Sequence, residues 1–508
     1  MGERRRKHWG WGYEDEQPAP GELRAAAAGL AEHLGFGDPE PEPPVALADV
    51  ELPPPRLETP YAADTWSRAS HAQGRSYLDV VRGLRGEFPH PPDGVAAPES
   101  EDELRAVLDW CGEHEVAVIP VGGGTSVVGG IDARLGPGHA GAVAVDLRAL
   151  DRVLDVDRVS RAARIQAGAT GPRLEEQLAA HGLTLRFYPQ SFELSTLGGW
   201  IVTRAGGHFA SGPTHIDDLV ESVRALCLDG SVWESRRLPG SGAGPSPDRM
   251  LLGSEGTLAI VTEAWVRVQP RPTMREAATV RFPSFEAGAE AVRAILQAGM
   301  RPANCRLVEA EEARLTMAGD GSADLLMLGF EGPVPQLSAA LALCGGGEGE
   351  ERASSEWRAA FLRAPYLRDT FAAMGVLSET FETAITWERL PDFVTTVKGA
   401  VREALGPEGS VTCRLTHAYP DGAAPYFTVL APVRRGAEAE RWGAIKAAAA
   451  DAVIAAGGTI THHHAVGRDH RPWYDRQRPE PFATALRAAK AALDPRGLLN
   501  PGVLFDPR

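Results

Sequence analysis

Three stretches limit the fold of this chain more than any other feature: "PVGGGTSVVGG" from Pro120, "YPQSFELSTLGGWIVTRAGGHFASG" from Tyr188 and "LLGSEGTLAIVTEA" from Leu251. Each is rich in glycine and in Ser or Thr, and poor in bulk. Glycine lets a backbone approach a ligand closely, and the N–H groups of its neighbours can converge on phosphate oxygens. Hydroxyls add donors without bulk or charge. The first stretch continues a short apolar run, "EVAVIPV", which reads as a strand. No lysine follows as in a GxxxxGK[ST] loop, and the spacing is not GxGxxG. A strand feeding a glycine nest without a lysine suits a diphosphate that needs no metal. A plain glycine-rich turn is the alternative for that stretch taken alone. Three such stretches in one domain point to a large, extended cofactor rather than a mononucleotide.

At 508 residues the chain is long enough for two or three domains. The opening residues are rich in Pro, Glu and Ala. "EQPAPGELRAAAAGLAEHLG" reads as one short helix, and "DPEPEPPVALADVELPPPR" as an extended connector. A regular α+β texture follows. Ser100 with Glu103 forms a capping box, after which Leu104, Val107, Leu108 and Cys111 keep a helical period. "AVAVDL" and "RAARIQAGA" read as strands, and "GPRLEEQLAAHG" as a helix with Pro172 in its first turn and Gly182 past its end. The pattern breaks at "VRVQPRPTMR". A second α+β region then contains the helix "FEAGAEAVRAILQAG", the strand "DLLMLGFEG", and "GGGEGEE" as a surface loop. The run "TITHHHAV" reads as a strand, and "FATALRAAKAALDPRGLLNPGVLF" as an amphipathic helix with a Pro/Gly stop.

The net charge of −16 argues against nucleic acid as a partner. No window approaches the unbroken apolar length of a membrane span. Cys111, Cys227, Cys305, Cys344 and Cys413 form no CxxC pair, so free thiols in a reducing, cytoplasmic compartment are expected. The start "MGERRRKHWGWG" is basic but lacks the apolar core of a secretory signal. Its charge suits peripheral contact with an anionic membrane surface.

Taken together, the three stretches resemble the flavin-binding domain of the vanillyl-alcohol-oxidase/PCMH superfamily, in which FAD lies extended between two subdomains. Within it the chain resembles the alkyldihydroxyacetonephosphate synthases, flavoenzymes of ether-lipid synthesis. The similarity starts at "KHWGWGYED" and continues through "FELSTLGGWIVTRA", "GSEGTLAIVTEA", "YLRDTFAAMGVLSETFETAITWERL" and "GGTITHHHAVGR". It implies an α+β fold: a two-subdomain PCMH-type FAD-binding domain plus an α+β substrate (cap) domain. Residues 1–85 would form an N-terminal helical and extended segment, 86–272 the FAD-binding domain, 273–450 the cap, and 451–508 a C-terminal segment completing the active site. A homodimer is the expected assembly.

The resemblance implies FAD, expected to be non-covalent because no His or Cys falls among the matched contacts of the first two stretches; His208, two residues beyond them, is the nearest. In the first stretch the FAD contacts fall on Pro120, Val121, Gly122, Gly123, Gly124, Thr125 and Ser126. In the second they fall on Gln190, Ser191, Phe192, Glu193, Leu194, Ser195 and Thr196, then on Thr203, Arg204, Ala205 and Gly206. In the third they fall on Glu255, Gly256, Thr257, Leu258, Ala259, Ile260 and Val261.

Two late segments gather polar groups: Arg414, His417, Tyr419, Asp421 and Tyr426, then His462, His463, His464, Arg468 and His470. Adjacent histidines on a strand alternate in direction, so they cannot all converge on one ion, and no metal is expected. A surface histidine run is the bland alternative. By resemblance, His462, His463 and His464 match active-site histidines, Tyr426 the catalytic tyrosine, Arg368 the substrate arginine and Arg306 a second arginine near the site. A phenol titrates near pH 10, so acid–base work at neutral pH needs neighbouring charge. A guanidinium suits a dianionic phosphate ester. By spacing alone, Tyr426 reads as a core aromatic and Arg368 as a surface arginine. One departure stands out: Phe187, in "RFYP", occupies the place of a family histidine.

The implied reaction is FAD-dependent exchange of the acyl chain of acyl-dihydroxyacetone phosphate for a fatty alcohol through a flavin N5 adduct, with no net redox change. It acts on lipid-like substrates and requires a long apolar tunnel, which no sequence motif reveals. The alternative is an FAD-dependent 2-hydroxy-acid dehydrogenase or oxidase on the same scaffold. Such relatives carry an HxGDGNxH metal motif; here the region reads "HAYPDGAAPYF", with Tyr426 near the place of the second histidine. That favours the exchange. A non-catalytic flavin-binding or partner-binding protein would lack the reacting residues, and they are present.

Overall fold

The computed structural model describes residues 4–332, 334–345, 348–350 and 365–506. Apolar runs with no polar alternation need cover on both faces, and three of them form the first sheet. β1 (Gly94–Ala96), β2 (Val116–Val121) and β3 (Gly141–Asp146) pair in parallel, in the order β1-β3-β2. On one face the helix Glu101–Glu113 sets Leu104, Val107, Leu108 and Cys111 against Val116, Val118, Val143 and Val145. On the other, Ile131 and Ala133 cover Ala117, Ile119 and Val121. The helix is capped by the Ser100 hydroxyl, which accepts from the Glu103 N–H. The reciprocal half of the expected capping box is displaced: the Glu103 carboxylate accepts from the Glu99 N–H at 2.8 Å.

The second sheet is antiparallel: β4 (Val153–Asp157), β5 (Ala162–Gln166), β7 (Val220–Leu226), β8 (Val232–Glu234) and β9 (Ile260–Arg267), in the order β4-β5-β9-β7-β8. β6 (Leu183–Thr184) and β10 (Gln269–Pro270) form a separate ribbon. The chain then enters a larger antiparallel sheet. Its strands are β11 (Arg275–Phe282), β12 (Asn304–Val308), β13 (Asp324–Glu331), β14 (Glu348–Glu350), β15 (Val376–Glu382), β16 (Ile385–Thr386), β17 (Ser410–Ala418) and β18 (Gly422–Pro432). The order is β14-β11-β13-β12-β17-β18-β15, with β16 on β18. The fold is therefore α+β, two smaller sheets preceding one large one. "GGGEGEE" is not only a loop: Glu348–Glu350 form an edge strand paired with Thr279–Arg281, while Gly346, Gly347 and Glu351 lie outside the described residues.

Strand alternation divides the large sheet into an apolar and a polar face. On β17, Val411, Cys413 and Leu415 enter the core with Val397 and Val401 of the helix Leu390–Leu405 and Ile445 of the helix Glu438–Ala455. Thr412, Arg414 and Thr416 face the other way, into a cavity. All five cysteines are buried and unbridged, and among the described residues no helix is long and apolar enough to cross a membrane.

Segments near both ends of the sequence are tied to the middle. The Trp-Gly-Trp-Gly turn wraps the helix at 365–373: the Trp11 N–H donates to the Asp369 carboxylate at 3.0 Å and Lys7 Nζ lies 3.3 Å from it. Burial pushes that carboxyl up to about 6, with Lys7 the largest opposing influence. Gly10 has φ +59°, and an added Cβ would meet Asp369 Oδ2 at 2.5 Å. Gly10→Ala is expected to lower stability by about 1–2 kcal/mol from left-handed backbone strain alone, with the carboxylate clash added, measurable by denaturant unfolding. At the other end, the Val118 N–H donates to the Leu498 carbonyl at 2.8 Å and the Asn500 N–H to the Val118 carbonyl at 2.9 Å.

Candidate active site

A cavity of about 870 Å³ lies between the glycine-rich stretches and the polar face of the large sheet. The first stretch leaves the end of β2, so its backbone starts at a sheet edge. The second contains a helix, Leu197–Thr203, N-capped by Thr196. The third leads into β9. Close approach explains the glycines. A Cβ at Gly123 would run into the Leu194 carbonyl oxygen and lie 2.6 Å from Ser195 Cα. Gly123→Ala is therefore expected to part the first two stretches, and the purified variant should carry less flavin per chain, read from its visible absorbance.

Most of the sequence-derived cofactor residues line this cavity: Pro120, Gly122, Gly123, Gly124, Thr125, Ser126, Gln190, Ser191, Ser195, Thr196, Thr203, Ala205, Gly206, Glu255, Gly256, Ala259, Ile260 and Val261. The others are placed elsewhere. Val121 and Leu258 are buried core residues, and Phe192 stacks on Trp200 at 6.5 Å. Glu193 accepts the Tyr366 hydroxyl. The Leu194 carbonyl accepts from Arg6 at 2.7 Å. Arg204 pairs with Asp217 at 2.8 Å, and the Thr257 hydroxyl donates to the Ser254 carbonyl at 2.6 Å. Phe187 packs on Trp200 at 5.2 Å between ring centres, behind Gly207.

The reacting end is a row across three paired strands. Arg414 on β17 faces Tyr426 on β18, which faces Glu382 on β15. The Arg414 guanidinium sits over the Tyr426 ring at 4.0 Å and pairs with the Glu312 carboxylate. Burial pushes the Tyr426 phenol up, and Arg414 is the first influence drawing it back. A bulge between Leu415 and His417 lets consecutive Thr416 and His417 both reach the cavity. Arg306, on β12, is fully buried; its Nη2 donates to the His208 carbonyl at 2.9 Å. Burial, then the nearby Arg414, lowers its pKa to about 9. Arg368 lines the cavity, donating to the Arg75 carbonyl at 3.0 Å and to Thr380 Oγ1 at 3.4 Å.

The histidine run is not a strand. It is a loop wound around the Glu382 carboxylate, which accepts from the N–H groups of His462, His463 (3.1 Å) and His464 (2.8 Å) and from the Thr461 hydroxyl (2.6 Å). Converging N–H groups leave no strand ladder for these residues to join. Burial alone would push the Glu382 carboxyl up; the adjoining His464 and His462 and these donors outweigh it and hold it below the usual range. His463 and His464 line the cavity. The Tyr426 ring lies 6.1 Å from the His463 ring at 21° and meets the His464 ring edge-on at 5.8 Å. His462 turns away from the cavity towards Tyr419 and His215. Burial lowers all three imidazoles, and it lowers His417 to about 3. One ring nitrogen each of His417, His462 and His463 lies within 4.8 Å of the others.

Sequence reasoning gave no role to Glu382, whose only local signal is that it is the second of two acids in the mixed strand "VLSETFE". It also missed Asn500, whose amide donates to the Gly130 and Glu255 carbonyls at 3.0 and 2.8 Å. Among the described residues Asn500 Oδ1, buried on the cavity wall, has no hydrogen-bond partner, an acceptor suited to a ligand N–H. Burial raises Glu255, also on the wall, to about 7. Glycine walls, hydroxyl donors and this acceptor fit a large dinucleotide with a polar ring edge.

These features define an FAD-binding flavoprotein of the FAD-linked oxidase type. Residues 92–236 match the family described as FAD binding domain, and residues 271–504 the one described as FAD linked oxidases, C-terminal domain. The chain belongs to the alkyldihydroxyacetonephosphate synthase family. It is 31% identical to the alkyldihydroxyacetonephosphate synthase of Caenorhabditis elegans over 86% of this chain and 80% of that one. It is 28% identical to that of Trypanosoma brucei brucei over 89% and 82%. A solved structure of an alkyldihydroxyacetonephosphate synthase superposes with a TM-score of 0.81 at 24% identity, covering 97% of each chain.

Proposed function

We propose that this chain exchanges the acyl chain of an acyl-dihydroxyacetone phosphate for a fatty alcohol, using FAD. The observation that carries this reading is an apolar part of the cavity lining. Besides Arg368 and Tyr426, the lining includes Leu23, Leu30, Leu34, Leu315, Phe371 and Leu430, of which all but Leu23 pack in one cluster. Such a wall suits an alkyl chain and has no use in a small hydroxy-acid site. The same lining includes Met317 and Leu367, 77% and 47% exposed, which supports entry of chains from a lipid surface.

The roles follow from position. Arg368 holds the phosphate: a guanidinium has five N–H donors, and its two hydrogen bonds among the described residues use two. Tyr426, kept protonated by burial, moves the proton at the reacting carbon, with Arg414 at its ring to steady the phenolate. His463 and His464 sit beside it as neutral imidazoles able to accept that proton. FAD, when bound, supplies the flavin N5 as covalent partner for the substrate carbon. The fatty acid leaves as carboxylate with one proton, and no net redox change occurs.

The test offers palmitoyl-dihydroxyacetone phosphate and labelled hexadecanol to the purified flavoprotein. Labelled ether and free palmitate in equal amounts are expected. No ether, together with anaerobic bleaching of the flavin by a 2-hydroxy acid, would overturn the reading.

A further inference from the structure

One hydrogen-bonded chain leads away from the cavity, and its direction can be derived. His215 Nε2 lies 2.8 Å from the His462 carbonyl oxygen. A carbonyl only accepts, so His215 carries its proton on Nε2 and its Nδ1 is an acceptor. That nitrogen lies 3.3 Å from Thr214 Oγ1, which donates to it. Having used its proton, Thr214 accepts from the Tyr419 hydroxyl at 2.9 Å. Tyr419 in turn accepts from His462 Nε2 at 2.8 Å. His462 is then protonated on Nε2, leaving Nδ1 as an acceptor, and the atom 3.0 Å away is His463 Nδ1. His463 must donate there, so its lone pair sits on Nε2. One carbonyl thus fixes five groups in sequence. The inner end, His463, lines the cavity, and the outer end, His215, is half-buried.

We propose that His463, His462, Tyr419, Thr214 and His215 form a proton relay between the reacting end of the cavity and solvent, with His463 Nε2 as the base that feeds it. The inference rests on the exchange reading for its substrate. A proton arriving on His463 Nε2 releases the one on Nδ1 to His462 Nδ1. His462 passes its Nε2 proton to Tyr419, Tyr419 passes its own to Thr214, and Thr214 passes one to His215 Nδ1. One proton enters, one positive charge appears on His215, and every intervening group ends neutral. The run in the reverse direction returns a proton to the substrate. Burial disfavours the charged form of both His462 and His463, which suits groups that hand a proton on rather than hold it.

Two variants break the chain without touching a cavity-lining residue: Tyr419→Phe and Thr214→Val. Each is expected to lower kcat about tenfold or more, with KM for both substrates and flavin content unchanged. Thr214→Ser, which keeps the hydroxyl, is expected to restore turnover. Equal loss in Thr214→Ser and Thr214→Val would mean a packing role, and wild-type turnover in both breaking variants would mean no relay; either result overturns the proposal. Nitrogen-15 NMR of the histidine-labelled holoprotein, with His463 assigned by comparison with His463→Gln, tests the same chain without any substrate. A neutral His463 with its proton on Nδ1 is expected, and one protonated on Nε2 overturns the relay. Stoichiometric zinc in the purified protein would also overturn it, because a metal on these nitrogens takes the lone pairs the relay uses. A wild-type protein that forms no ether yet shows the expected tautomers would sink the exchange reading and leave the relay standing.

Discussion

Tyr426→Phe is expected to lower the rate of ether formation by roughly a hundred- to ten-thousand-fold, the usual span for a positioned acid–base group. The substitution removes one oxygen and keeps the ring. The contacts that hold the ring remain: the Arg414 guanidinium over its face at 4.0 Å and the His463 imidazole 6.1 Å away. Flavin content and thermal unfolding should match wild type, so the loss reads chemistry and not folding. Phosphate binding, carried by Arg368, should survive, leaving KM nearly unchanged while kcat falls. A Phe variant that turns over at the wild-type rate would remove Tyr426 from the mechanism.

Glu382→Gln is expected to cost several kcal/mol of stability, because each buried N–H or hydroxyl left without its acceptor costs about 1–3 kcal/mol. It should also abolish turnover. The amide keeps the volume but offers one acceptor oxygen and two donors where three N–H groups and a hydroxyl converge. The His462–His464 loop then loses its anchor, and with it the placement of His463 and His464 on the cavity wall. The sign of the pH dependence follows from the carboxyl lying below its usual range. Its stabilisation is complete above the unfolded value of about 4.3 and is lost as the pH falls through the lower folded value. The stability gap between wild type and Glu382→Gln, measured by denaturant unfolding at a series of pH values, should be constant near neutrality and shrink only in acid. A gap that shrinks on raising the pH from 6 to 8 would contradict this.

The glycine-rich stretches were legible because their requirement is steric and local: Gly123 can be nothing larger with Ser195 Cα 2.6 Å from its Cβ position. The polar row on β17 and β18 was legible in outline, since alternation places Arg414 on the face that carries Tyr426. The histidine run was misread as a strand because the group that dictates its shape, Glu382, lies 80 residues earlier. The Trp-Gly-Trp-Gly turn could be recognised but not explained, because Asp369 follows Trp11 by 358 residues. The apolar part of the cavity was invisible for the same reason: Leu30, Leu315 and Leu430 each look like ordinary core residues and become one wall only when three distant segments meet.

The tie between Asn500 and Gly130 spans 370 residues. On a ribosome adding about 5–20 residues per second, the first glycine stretch waits roughly 20–70 s for the side chain that completes its wall. Arg6 bonds the Gly123 and Leu194 carbonyls, so it is already present when those loops emerge. The order of synthesis therefore lets the nascent chain shape the phosphate-binding part of the site early and withholds the Asn500 acceptor until 370 residues later. Capture of the cofactor then waits for the segment around Asn500, and a chain that stalls before Leu498 should be released pale.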